Sequence, residues 1–333
     1  MNWANGDTLD IGFLLLETGA TAGTTFDGSF VNANSVMYAW TGTADASAST
    51  ATTYTPAIAL VGHSTFDPCP RVEITITDVT PTDNVVNVWR TADGKRQAVR
   101  GARKWTVNGS NFIIDYEVPT GRLVSYDLEV TSGLNNGAGV TQQTITVNCD
   151  TWCIQDPLVP SSAIPLNVSK QDSSAPYLTA AAVKNLEYAA GMTIVPILGS
   201  PEPVALMGQR SIAGAVDFSM FTNTAQVTTQ LRNLIQQTPL LLVRSNGVRN
   251  DGVPGLAYYA AAKPVEHPMT VAFGGTLTHW QLTGDLVSAP TMNVLIPVWT
   301  YGAVAALWGT YQAPQTALAS KTYLDVLKSP SGT

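Results

Sequence analysis

From Arg71 to Thr77 the chain sets Val72, Ile74 and Ile76 against Glu73, Thr75 and Thr77. This period-two alternation is that of a strand with one buried face and one wet face. Asp93-Gly94 then lies between Asn87-Val88-Trp89 and Arg96-Gln97-Ala98-Val99, and Asn108-Gly109 between Trp105-Thr106-Val107 and Phe112-Ile113-Ile114. Both dipeptides favour the left-handed turn conformations that match strand twist, so two hairpins are predicted. Further strands are predicted from Leu123 to Thr131 and from Val140 to Asn148, joined through Asn135-Asn136-Gly137. About seven short strands in roughly eighty residues is the spacing of a β-sandwich, which sets a domain at residues 67–150.

The flanking regions read differently. Residues 1–66 form a small β-rich N-terminal region, with aromatic islands at Phe26, Phe30, Tyr38 and Trp40 among Thr, Ala, Ser and Gly. Its segment Thr41 to Tyr54 suits an extended arm or edge strand. Residues 151–190, with Pro157, Pro160, Pro165 and Pro176, are expected to be a linker. Residues 191–298 read as a β domain with one helix. Strands are predicted at Met192 to Leu198, through Ile212, Val216 and Met220, at Leu240 to Arg244, at Leu256 to Ala262 and around Trp280 to Val287. Thr224 caps a helix whose Val227, Leu231, Leu234 and Ile235 recur at helical spacing, with Pro239 just past its end. In residues 299–333, Tyr301, Val304, Trp308 and Tyr311 recur at three- and four-residue intervals, and Tyr323, Val326 and Leu327 do so after Thr322. One or two short amphipathic helices follow from that spacing.

Composition changes this picture in one respect. Of 333 residues 45% are hydrophobic, enough for real cores, but only 12% are charged, about half the usual share of roughly 25%. Such a surface suits protein contacts. The formal charge of -7 supplies no global positive field, so nucleic acid is not an expected partner. Three cysteines do not make a disulfide framework and fit a reducing compartment. The apolar run Ile11 to Leu16 follows Asp7 and Asp10 rather than basic residues, and reads as a strand rather than a signal peptide. Leu286 to Ser320 carries no charge, yet Pro290, Pro297 and Pro314 interrupt it. Burial by protein is therefore expected rather than stable membrane insertion.

The chemistry of catalysis is thin. The chain has three histidines, His63, His267 and His279, and no H-E-x-x-H, G-x-S-x-G or phosphate-cradling loop. No catalytic residue, cofactor or metal site is assigned, and no enzyme activity is expected. Cys149 and Cys153 could supply half of a zinc site, but no second pair has ligand spacing. Arg90, Lys95, Arg96, Arg100, Arg103 and Lys104 form one basic cluster, which either grips an acidic partner or is a solvated hairpin. Trp3, Tyr38, Trp40 and Tyr54 either form a small core or offer a glycan platform.

Two stretches carry resemblances. Val118-Pro119-Thr120-Gly121 followed by Tyr126-Asp127-Leu128-Glu129-Val130 resembles the turn and tyrosine-bearing strand of immunoglobulin or fibronectin III-like domains, which implies that the Tyr126 hydroxyl pins a corner. Phe26-Asp27-Gly28 and then Tyr38-Ala39-Trp40-Thr41-Gly42-Thr43 resembles a motif in minor tail proteins of actinobacterial phages, where it closes a jelly-roll domain. The Asp156-Pro157-Leu158 crossing and the Thr300-Tyr301 and Thr322-Tyr323 segments look like the same family. Gly208-Gln209-Arg210 and Trp280-Gln281-Leu282 are similar to the β-barrel and helix domain of distal-tail-type proteins.

The resemblance implies a mainly all-β structural protein of the virion tail tip. Such a chain would form a trimer or hexameric ring and contact other tail proteins. Its expected interface residues are Arg96, Arg100, Arg103, Trp299, Tyr301, Val304, Trp308 and Tyr311, with Leu286 to Ser320 buried largely between chains. The alternative is an adsorption protein that binds host-surface glycan through Tyr38 and Trp40.

Overall fold

The computed structural model describes residues 28–44, 47–168, 174–184, 186–199, 201–210, 214–246, 253–269, 274–291, 305, 307–310 and 312–321. The described chain is mostly β, with two helices among the described residues. It opens with a hairpin of β1 (Val36–Trp40) and β2 (Ser49–Thr53), so the small-residue stretch after Trp40 ends as a paired strand.

The first large unit has two antiparallel sheets. One holds β3 (Ala57–His63), β4 (Arg71–Thr77) and β8 (Asn111–Asp115). The other runs β10 (Val140–Thr146), β9 (Leu123–Ser132), β5 (Asn84–Ala92) and β6 (Lys95–Ala98), with β7 (Trp105–Val107) also on β5. Val72, Ile74 and Ile76 from the first sheet meet Val86, Val88, Val124, Tyr126 and Leu128 from the second in one buried core. Val72, Ile74 and Ile76 thus face a core as read, but the opposite face is wet only at its end: Arg71 and Glu73 are buried as well, Thr75 is half-buried and Thr77 is exposed. The unit begins earlier than residue 67, because β3 pairs with β4 along its whole length.

Asp93 and Gly94 take φ of 49° and 72° and join β5 to β6, the hairpin predicted there. The second prediction differs. Gly109 has φ 68°, but β7 pairs with β5 while β8 pairs with β4. Asn108-Gly109 therefore carries the chain from one sheet to the other: a turn dipeptide sets local backbone handedness, and tertiary packing chooses the partner.

The expected linker at 151–190 is also corrected. β11 (Trp152–Asp156) is buried at every position, and β12 (Val159–Leu166) pairs with it. Pro160 and Pro165 fit because β12 is the edge of a six-stranded antiparallel sheet ordered β12, β11, β18 (Leu240–Arg244), β19 (Leu256–Ala260), β22 (Thr283–Val287) and β16 (Val216–Asp217). An edge strand tolerates a missing N–H on its open side. A four-stranded sheet of β13 (Tyr177–Leu178), β17 (Met220–Thr222), β21 (Thr278–Gln281) and β20 (Val265–Pro268) shares the same core.

Helix α1 (Ala225–Gln237) lays Val227, Leu231 and Leu234 on that core, and the Thr224 hydroxyl accepts from the Val227 amide as predicted. The run from Ile212 to Met220 is not one strand: residues 211–213 lie outside the described chain, and β16 and β17 sit in different sheets. Helix α2 (Gln312–Ala317) buries none of its residues within the chain.

Candidate functional site

The two large units meet along a polar seam. The end of β8 and the turn after it supply two buried carboxylates, Asp115 and Glu117. Asp115 accepts from Arg90 Nη1 at 2.8 and 2.7 Å and from the Tyr126 hydroxyl at 2.7 Å. Glu117 accepts from Arg100 Nε and Nη2 at 2.9 and 2.6 Å, and from the hydroxyl of Tyr258 in the second unit at 3.0 Å. Burial works against the Arg90 charge, but Asp115 beside it leaves its pKa above the ordinary value. Burial pushes the Tyr126 and Tyr258 hydroxyls up, and the adjacent carboxylates add to it.

Three further contacts cross the seam: Arg122 donates to Ser245 at 3.2 Å, Asn246 donates to the Cys149 carbonyl at 3.0 Å, and the Gly255 amide donates to Asp93 at 3.1 Å. Arg122 also donates to Asp93 at 2.8 Å within the first unit. A cleft of about 200 Å³ opens here against Arg90, Asp93, Lys95, Tyr258 and Leu286. Arg90, Asp93 and Tyr258 already spend their polar atoms on the seam, so the cleft offers little chemistry to a ligand.

The expected basic interface divides. Arg100 is buried against Glu117 and donates to the Pro290 carbonyl at 3.2 Å, so it is a seam residue rather than an exposed contact. Arg96 lies over the Trp89 ring at 4.4 Å and faces Asp127 at 3.6 Å, half exposed. Arg103 is exposed. Charge clustering along the sequence could not separate these, because Arg96 lies on β6 while Arg100 and Arg103 lie in the turn after it, and Glu117, the partner that buries Arg100, is distant in sequence.

Tyr38 and Trp40 are brought onto one hairpin, and both rings are occupied. The Phe30 ring meets Tyr38 edge-on at 5.5 Å, and Trp40 Nε1 donates to Ser29 Oγ at 3.1 Å. Of the C-terminal set, Trp308 is half-buried, and Trp299, Tyr301, Val304 and Tyr311 lie outside the described residues.

The feature the sequence reading missed is a hairpin that, among the described residues, covers no core. There β14 (Ala190–Val195) and β15 (Val204–Arg210) pair only with each other. Met192 faces Met207 and Ile194 faces Ala205 on one side, while Thr193 faces Leu206 and Val195 faces Val204 on the other. Both faces are apolar, and both are wet: Ile194 is 58% exposed, Leu206 62% and Met207 71%, with Ile197 and Leu198 exposed in the connecting turn. An isolated two-stranded hairpin is marginal in water, and unpaired edges with apolar faces are templates for another surface. The signal was in the sequence: no charged residue stands between Ala190 and Pro201, nor between Pro203 and Gln209.

Comparisons with protein-family models, with curated proteins and with solved structures return no match. Among the described residues, no helix is long and apolar enough to cross a membrane. No group of three or more His, Cys, Asp or Glu that could hold a metal ion occurs among them either.

Proposed function

We propose that the chain is a structural component of a bacteriophage tail tip, which works by assembling with copies of itself and with neighbouring tail proteins. The observation that carries the reading is the β14–β15 hairpin, built like a core element and left without a core among the described residues. Its nine exposed large apolar side chains, from Tyr188 to Met207, offer on the order of 1,000 Å² of surface, where a standard interface takes about 800 Å² from each partner. The seam supports the same reading: it ties the two units together, so a hairpin seated on a neighbour passes load to the whole chain. The phage assignment itself rests on the resemblance of Tyr38 to Thr43, and of Gly208 to Arg210, to minor and distal tail proteins.

On this reading the first unit is an immunoglobulin or fibronectin III-like sandwich and the second a distal-tail-like barrel with one packed helix. Tyr126 fits the pinning role in part, since its hydroxyl is held by the Asp115 carboxylate. A glycan-binding role has less support, because the Tyr38 and Trp40 rings are turned to Phe30 and Ser29.

Light scattering on the purified full chain tests the assembly, with Ile194→Thr, Leu206→Thr and Met207→Thr combined as the comparison. The reading expects a trimer or hexamer that the triple variant dissolves. Single copies with a hairpin that exchanges its amide hydrogens freely would end it. Labelled antibody on intact particles tests the location, with signal expected at the distal end of the tail.

A further inference from the structure

Two of the chain's three histidines stand directly opposite one another. In the antiparallel pairing of β20 with β21, His267 is the register partner of His279, and directly opposed residues in such a pair hold their Cβ atoms roughly 5 Å apart. The rings lie side by side, centroids 6.1 Å apart and 20° from parallel. Both are on the face of the sheet away from the core, since their strand neighbours Thr278 and Trp280 are the buried ones. His267 is exposed and His279 half-buried.

His279 is also backed from the other side. Phe221, its register partner on β17, stacks against it at 4.8 Å, and Tyr177 on β13 continues the row at 5.6 Å from Phe221. One imidazole is therefore held in place by an aromatic wall, while the other is free to turn. Neither is a base in any catalytic group described above.

We propose that His267 and His279 form a two-imidazole site for a borderline divalent transition metal, zinc or copper, with water completing the coordination. Imidazole nitrogen is a ligand such ions prefer, at about 2.0–2.1 Å for zinc, so two rings must bring their nitrogens to roughly 3 Å of each other. From centroids 6.1 Å apart, the exposed His267 side chain must turn toward the fixed His279 to meet that demand. Calcium and magnesium, which take oxygen ligands, are excluded by the donor set. The bound ion would staple β20, the four-residue edge of its sheet, to β21.

The inference is independent of the assembly reading, because the hairpin and the histidine pair are on different sheets. The test is calorimetric titration of the full, untagged chain with zinc and with copper, alongside His267→Gln, His279→Gln and His63→Gln, each checked for an unchanged melting temperature without metal. One equivalent is expected to bind. Each of the two paired substitutions should weaken binding about tenfold or more, since the second ligand then acts at no effective local concentration, while His63→Gln leaves it unchanged. Should His279→Gln perturb the fold, the exposed His267→Gln decides alone. Copper spectra showing two nitrogen ligands would support the site. No saturable binding, or binding that survives His267→Gln, overturns it.

Discussion

Arg244 Nη1 donates to the carbonyl oxygen of Pro70 at 2.6 Å, across a separation of 174 residues. The same guanidinium donates to the Val118 carbonyl at 3.3 Å, to Gln155 Oε1 at 2.7 Å and to Cys153 Sγ at 3.2 Å. Those acceptors come from both large units, and none of them is a carboxylate. Arg244 is fully buried. A buried cation held by neutral acceptors costs desolvation that no anion offsets, yet its removal strands acceptors that water cannot reach. The second effect should win. Arg244→Met is expected to lower stability by about 2–4 kcal/mol, read from the denaturant midpoint. An unchanged midpoint would mean that guanidinium desolvation had cancelled the hydrogen bonds.

Gly121 is the turn on which the seam closes. Its φ is 65°, and a Cβ there would collide with the backbone carbonyl of Asn246 in the second unit. The left-handed backbone alone costs a non-glycine residue about 1–2 kcal/mol. Gly121→Ala should therefore lose at least that much and also loosen the contact from Asn246 to the Cys149 carbonyl. Hydrogen exchange confined to the seam would rise, while the β4 and β9 cores stay protected.

Three thiols in different surroundings give a chemical readout of the fold. Burial pushes the Cys69 thiol from 9.0 up to about 11, and it raises Cys153 as well. Cys149 is half exposed. At pH 8 a disulfide reagent should modify one thiol quickly and two only on unfolding. The raised values also fix the sign of the alkaline response. The folded state keeps protons that the unfolded chain has released, so the stability these groups contribute is complete below pH 9 and is lost as pH rises toward 11. A denaturant midpoint that held steady across that window would contradict the burial of Cys69.

The β14–β15 hairpin gives the assembly prediction its sharpest form. Leu206→Lys alone places a charge on one apolar face, and a charge at a buried interface without a partner costs several kcal/mol. It should shift the association midpoint by at least about tenfold, as measured by sedimentation. Thr193→Lys, directly opposite on the same face, should do likewise, whereas Lys at exposed Thr50 on β2 should do nothing.

Legibility in the sequence followed physical range. Strand alternation at Val72 to Ile76, the α1 cap at Thr224 and the Asp93-Gly94 turn are set by neighbours within a few residues, and each could be read directly. What depends on distant partners could not. Asn108-Gly109 became a sheet crossing because β5 and β4 compete for its flanking strands. The proline-rich stretch after Cys149 became an edge strand because β18, some ninety residues on, offers β11 a partner. Arg100 and Arg96 look alike in sequence, and only the position of Glu117 under one and Trp89 under the other separates a buried pair from a surface cation.

Arg90 and Asp115 join the two sheets of the first unit and provide the most exacting test of the buried network behind the seam. Both are almost wholly buried, and Asp115 also holds the Tyr126 hydroxyl and the Glu117 amide. Asp115→Asn keeps the shape but leaves Arg90 facing a neutral amide, which should cost about 3–5 kcal/mol. Arg90→Met leaves a carboxylate that still accepts two other hydrogen bonds, so it should cost less. The double variant Arg90→Met with Asp115→Leu removes both charges, and well-packed apolar replacements of buried pairs are often close to neutral. A thermodynamic cycle over the four proteins would therefore show strong coupling, with the double variant more stable than Asp115→Asn. Additive losses would instead mean that the Tyr126 and Glu117 hydrogen bonds, and not the ion pair, carry the contribution of Asp115 to the junction.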